Sequence, residues 1–299
     1  MKYLNVPFLL MSSFTLLSCA VAQDTPTKEE KPANKIMNEK VEACEPTPLT
    51  DAKTPEIKTI AEGAISKIKT PFIFVARDAK TFELLKNSVE DLPAASAIDF
   101  TKTAVVAAFA GMKNTGGYSL IIKQTGENFA VEILSPPKDA MVTQILTSPY
   151  QVTLVPVEEE KSLNLTVSDD FKTAMKIYKI TSGEFAYSGG FTGRQKKFSA
   201  EGTIGLMQTG DLVTLDFNLS GNGTDKEMKL TETASGILKD GKIEVPRLDA
   251  GSFSEGPKPP VKVSGSMTGN KLNLTFEPLP TTVADGFSMN GKLEAIKND

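Results

Sequence analysis

Val213-Thr214-Leu215-Asp216-Phe217-Asn218-Leu219 alternates apolar and polar side chains without a break. Successive side chains on a strand point to opposite faces, so a period of two marks a strand with one buried and one polar face. The same texture extends in both directions. Phe198, Ala200, Ile204 and Leu206 alternate with Lys197, Ser199, Glu201 and Thr203 upstream. Downstream it returns at Val261, Val263 and Met267, at Leu272, Leu274 and Phe276, and at Phe287, Met289, Leu293 and Ala295. Thr209-Gly210-Asp211, Asp240-Gly241 and Gly269-Asn270 separate the runs and suit tight hairpins, whose turns need a residue that tolerates positive φ. With 185–190 as the first strand, about eight strands follow one another between 183 and 299. The predicted architecture is an eight-stranded antiparallel meander, a barrel or a curved sheet.

Gly202, Gly236, Gly265 and Gly291 fall in phase with the inward-facing residues of four of these strands. Glycine weakens a strand, so something must require it there. Two readings stay open. One is curvature, because closing a meander bends strands at such positions. The other is an internal cavity holding one small apolar ligand, which would make the domain a periplasmic carrier.

Residues 65–160 read differently. Phe72-Ile73-Phe74-Val75-Ala76 and Thr103–Gly111 are compact apolar runs suited to buried strands, and Asp78 is placed to cap a short helix carrying Phe82, Leu85 and Val89. Met112–Gly117 is predicted to turn the chain as a hairpin into a strand at 118–123, followed by strands at 129–133 and 151–155. Met141–Thr147, bracketed by Pro137 and Pro149, is predicted to be extended. The expected product is a small, mostly antiparallel α+β domain, joined by a connector at 161–182 to the meander at 183–299. The chain as a whole is predicted to be mainly β.

The N-terminus bears on location. Lys2 followed by the apolar run 8–17 has the form of a signal peptide over 1–18, and Leu16-Leu17-Ser18-Cys19 has the form of a bacterial lipobox. Acylated at Cys19, the chain would be held at the cell envelope, since each buried methylene contributes ~0.8 kcal/mol and more than one acyl chain makes anchoring stable. The rival site, Ala20-Val21-Ala22, would give a secreted protein. Residues 19–64 have a linker composition, with an r.m.s. span of roughly 35–40 Å. Once Cys19 is lipidated or removed, Cys44 has no partner within the chain, which leaves a free thiol or an intermolecular disulfide.

Composition narrows the chemistry. The 299 residues contain no histidine, so Ser-His-Asp and Cys-His nucleophile pairs and His-ligated zinc are excluded. A net charge of -4 gives no basic footprint for nucleic acid, and only Arg77, Arg194 and Arg247 supply guanidinium groups. Asp169-Asp170 lacks the further oxygen ligands of a calcium loop. No cofactor, metal or catalytic residue is expected. A hydrolase relying on carboxylates alone is the remaining enzymatic alternative, and no pair of carboxylates is placed for it by the pattern.

The segment Phe109-Ala110-Gly111-Met112-Lys113-Asn114-Thr115-Gly116-Gly117-Tyr118-Ser119 resembles the signature of the PrcB C-terminal domain. Pro136-Pro137, Val142–Tyr150 and the following apolar Val152, Leu154 and Val155 continue the resemblance over roughly 70–157. That family takes its name from an accessory lipoprotein subunit of a secreted subtilisin-like protease complex. The resemblance implies an envelope protein that supports a partner such as an exported protease, and brings no catalytic residues with it. Asn114, Thr115, Gly116, Gly117 and Tyr118 are the expected interaction residues: free backbone donors, the Asn114 amide, and Tyr118 as an amphipathic anchor of the kind enriched at interfaces.

Overall fold

The computed structural model describes residues 56–126, 128–157, 163–188, 195–223, 227–249, 252–253, 259–280 and 288–298. Cys19 and Cys44 lie outside these residues. The described residues belong to one compact unit.

The first half is built from two small sheets. β1 (Lys58–Gly63), β2 (Pro71–Ala76), β3 (Thr103–Ala110) and β6 (Tyr150–Pro156) form an antiparallel sheet in the order β1-β6-β3-β2. β4 (Ser119–Thr125), β5 (Asn128–Leu134) and β7 (Leu165–Val167) form a second sheet, in which β7 runs parallel to β5. Helix α1 (Ala79–Leu85) follows β2, and the Asp78 carboxylate caps it by accepting from the Thr81 N–H at 2.9 Å. Phe82 and Leu85 are buried on its inner face. Val89 is buried too, but on the turn beyond the helix.

The second half is a closed antiparallel barrel of eight strands. Helix α2 (Asp169–Ala174) leads into β8 (Lys176–Ser188), followed by β9 (Gln195–Thr209), β10 (Leu212–Gly223), β11 (Glu227–Lys239) and β12 (Lys242–Asp249). A two-residue strand, β13 (Ser252–Phe253), lies against β11; then come β14 (Pro260–Thr268), β15 (Lys271–Pro278) and β16 (Ser288–Lys297). Each long strand pairs with the next long one, and β16 returns to β8 to close the ring. The predicted turns make the hairpins. Asp240 and Gly241 both have positive φ (50° and 73°), the pattern of a type I′ turn. At Gly210-Asp211 and Gly269-Asn270 only the glycine does, which suits type II′.

Side chains fill the barrel interior. Phe185 and Phe217 meet Phe276 edge-on, with ring centroids 4.9 and 5.9 Å apart. Burying each ring contributes about 1.5–3 kcal/mol. The inward glycines sit where a neighbouring strand approaches closely. A Cβ on Gly236 would lie 2.8 Å from the Val245 Cα, one on Gly265 2.8 Å from Leu274 Cδ2, and one on Gly291 2.8 Å from Phe185 Cε1 and closer still to its Cδ1. Curvature is the reading these contacts support.

Three boundaries differ from the sequence expectation. First, β3 and β4 are not a hairpin. β2 and β6 occupy both edges of β3, so the 111–118 loop carries the chain from one sheet to the other. Second, β1 lies within the stretch read as linker, where Ile57, Ile60 and Ala61 pack on the core. Third, the barrel begins at Lys176 within the expected connector. Tyr178 and Ile180 face inward at even numbers, Phe185 and Tyr187 at odd ones, and the irregularity between Lys179 and Glu184 changes the phase.

The halves join where β2 meets the outer face of the barrel. Met207 and Leu212 belong to the core of the first half. The open edge of β2 is sealed by hydroxyls rather than by another strand. The Val75 N–H donates to Ser235 Oγ at 2.8 Å, and Thr214 Oγ1 donates to the Ile73 carbonyl at 2.6 Å. The two hydroxyls are 2.8 Å apart. With the Thr214 proton committed, Ser235 donates to Thr214, and all four groups are satisfied.

On the same face, burial pushes the Asp216 carboxyl above the ordinary aspartate range, while the Thr233 hydroxyl, donating at 2.8 Å, opposes the shift. A carboxyl raised on folding holds its proton longer in the native state than in the unfolded chain. Stability therefore falls as pH rises from the ordinary aspartate range through the raised value. Asp216→Asn keeps the acceptor for Thr233 and removes the charge. It is expected to raise the melting temperature at pH 7, with the difference vanishing near pH 3. An equal effect at both pH values would contradict this.

Candidate functional site

The five predicted interaction residues lie on the 111–118 loop, which is bound to two neighbours. Lys113 exchanges backbone hydrogen bonds with Thr147 at 2.8 and 3.0 Å, the Gly116 N–H donates to the Thr143 carbonyl at 2.9 Å, and Thr147 Oγ1 donates to the Thr115 carbonyl at 2.9 Å. The Met112 N–H donates to the Lys69 carbonyl, and the Ser148 N–H to the Ala64 carbonyl, each at 2.9 Å. Loops 64–70, 111–118 and 135–149 thus form one cluster. Residues 141–147 form no helix and no ladder strand, with a bend at Ile145 and an isolated bridge at Thr147, and they supply the partners of the loop.

One of the expected free backbone donors is taken: Gly116 is buried and its N–H is used internally. Gly117 has φ +84°, and a Cβ there would stand 3.0 Å from both Pro136 Cβ and Val142 Cγ1. The glycine pair therefore shapes the crossing between sheets. Asn114 is exposed and Thr115 half-buried. The Tyr118 ring is half-buried beneath the Lys113 ammonium, 5.2 Å from its centroid, and Lys113 reaches Asp170 of α2 at 3.4 Å. Toward a partner the loop presents the Asn114 side chain, one side of the Tyr118 ring, and the exposed Met112 and Gly117.

A polar cluster that the sequence did not reveal stands between the halves. Arg77, at the end of β2, points its Nε at Asp249 Oδ2 (2.7 Å) on β12 and its Nη1 toward Glu232 Oε1 (3.8 Å) on β11. Arg247 holds the other Asp249 oxygen at 2.9 Å, and Glu232 accepts from the Leu163 N–H at 3.0 Å. Arg77, Glu232 and Asp249 are 5%, 2% and 4% exposed. β11 and β12 are paired only from Ile237↔Glu244 to Lys239↔Lys242, and Arg77 bridges them where they part. Glu232 and Asp249 are thus committed to guanidinium groups in a packed seam rather than displayed in a cleft. Among the described residues no group of three or more Asp, Glu or Cys side chains is arranged to hold a metal ion.

The barrel carries an open groove of about 750 Å³ across β15, β16, β8 and β9. Its outward rows are Thr275–Lys292–Glu184–Ser199 and Asn290–Ala186–Lys197, as the strand register places them. Charges of both signs alternate along it, so it carries no single electrostatic preference.

Residues 104–156 match the family model of the PrcB C-terminal domain. The match runs from β3 to the end of β6 and includes the 111–118 and 135–149 loops; it covers a segment of the chain and leaves the barrel outside. No curated protein and no solved structure matches the chain.

Proposed function

We propose that this chain is a bacterial cell-envelope lipoprotein, anchored through Cys19, whose PrcB-like portion serves as a non-catalytic accessory subunit holding or stabilising an exported protease. The match of 104–156 to the PrcB C-terminal model carries the reading. Two further observations support it. The buried Glu232 and Asp249 are engaged at the Arg77 seam, and the matched segment contains two loops, 111–118 and 135–149, bonded to each other and displaying side chains outward. Cys44 would add a disulfide-linked dimer if it meets its copy in an oxidising compartment.

The test is a crosslinking pull-down from the native envelope. Wild type should enter the detergent phase and retain an envelope protease, whereas Cys19→Ala should stay aqueous. Tyr118→Ala should cost the fold only about 1–2 kcal/mol, since half a ring is buried, and should lose the partner. Recovery of no protein beyond that bound by a control lipoprotein would end the accessory reading.

A further inference from the structure

Eight large apolar side chains are exposed among the described residues, and five of them crowd onto the loop cluster: Ile65 (68%), Met112 (55%), Met141 (103%), Ile145 (56%) and Leu146 (62%). The backbone bonds from Lys113 to Thr147 and from Ser148 to Ala64 hold their loops at one end of the first sheet. Large apolar side chains more than half open and carried on three loops bonded to one another are the composition of an interaction surface rather than of singly scattered exposed residues. Backbone hydrogen bonds at Lys113–Thr147, Gly116–Thr143, Met112–Lys69 and Ser148–Ala64 tie the three loops together. Met112 and Met141 add unbranched, polarizable side chains that adapt to an apolar partner.

The rim of the patch says what kind of partner fits. Loops 64–70, 111–118 and 135–149 carry four lysines, Lys67, Lys69, Lys113 and Lys138, against one carboxylate, Asp139, in a chain whose net charge is -4. Glu90 and Asp170 reach Lys67 and Lys113 at 3.3 and 3.4 Å. Lys69 bonds only to the Ser66 carbonyl and the Ser148 hydroxyl, and Lys138 is exposed with no carboxylate partner among the described residues. Four lysines against Asp139, Glu90 and Asp170 leave the edge one ammonium in excess, and an apolar centre so edged complements an apolar segment flanked by carboxylates. Three of the five apolar residues on the 135–149 loop, together with Met112 on the 111–118 loop, fall inside the segment that matches the PrcB model, which favours a protein over a lipid surface as the occupant.

We propose that the patch formed by Ile65, Met112, Met141, Ile145 and Leu146 is the docking surface for an apolar, carboxylate-flanked segment of the partner protein. The proposal rests on the accessory reading and names its contact surface. The full chain, carrying a photo-crosslinking residue at Met141 or, as a control, at the exposed barrel position Lys239, is irradiated in the native envelope. The adduct at 141 should join a protein through a peptide rich in apolar residues with Asp or Glu on either side. It should fall at least tenfold in Ile145→Ser/Leu146→Ser and in Lys67→Glu/Lys138→Glu. All four side chains are exposed, so these variants should keep the wild-type melting temperature. A protein adduct formed only from 239 would overturn the docking surface and leave the accessory reading standing, whereas failure of the pull-down above would remove the accessory reading itself. An adduct to lipid, with binding of the purified Cys19→Ala chain to vesicles containing one-third phosphatidylglycerol, would assign the patch to the membrane and overturn the proposal. A protein adduct at 141 indifferent to either pair of substitutions would also overturn it.

Discussion

Arg77→Ala should lower the stability of the protein by about 3–5 kcal/mol, the range expected when one partner of a buried ion pair is removed. The guanidinium is 5% exposed and stands between two carboxylates on different strands. Removing it leaves Glu232 and Asp249 charged, close together and cut off from water, at the place where β11 and β12 no longer share a ladder. Arg247 still holds one oxygen of Asp249, and the Leu163 N–H still donates to Glu232. Neutralising the two carboxylates gives the experiment its internal control. Adding Glu232→Gln to Arg77→Ala removes one of the two buried charges but keeps an acceptor for the Leu163 N–H. The double variant should regain a large part of the loss in urea denaturation, and a triple variant with Asp249→Asn should regain more. A loss below about 1 kcal/mol, or no recovery on neutralising Glu232, would show that the cluster does not hold the seam.

The barrel was legible from 213–219 outward because its strands keep a period of two and its hairpins use turn residues with the required backbone freedom. The reading failed where the phase changes within a strand. Tyr178 and Ile180 belong to the barrel wall, but the irregularity before Glu184 sets them out of step with Phe185 and Tyr187. The resemblance at 109–119 located the loop that the PrcB model later matched, yet the local residues gave no sign that it crosses between sheets. That depends on β6, whose residues occupy the second edge of β3 from 40 positions downstream. The Arg77 cluster was illegible for a related reason. Arg77, Glu232 and Asp249 are far apart in sequence, and only the parting of β11 from β12 brings them together. Counting arginines could show that guanidinium groups are scarce, but not that two of the three meet at one aspartate.

Gly202→Ala should destabilise the barrel by about 3 kcal/mol or more, whereas Gly210→Ala should cost about 1–2 kcal/mol. Both glycines have positive φ, +129° and +56°, so each substitution places an alanine in backbone conformations that L residues avoid. Only the first meets an obstacle. A Cβ on Gly202 would press on the Asn218 carbonyl and lie 3.1 Å from the Leu219 Cα, both on the paired strand, while nothing lies within 4 Å of one on Gly210. Backbone cannot swing aside as a flexible side chain can, so the strand pair must separate or bend less, and overpacking of this kind adds about 1–3 kcal/mol. The comparison therefore decides what the inward glycines are for. If they left room for an apolar ligand, a methyl group at 202 would enter empty space, and its cost would not exceed that at 210. If they let neighbouring strands approach so that the ring can close, the excess appears at 202 and recurs at Gly236, where a Cβ would stand 2.8 Å from the Val245 Cα at ordinary φ. Gly236→Ala is informative because no backbone strain contributes to it. Its whole cost measures the close approach of β12, and a melting temperature within a degree of wild type would return the barrel interior to the ligand reading.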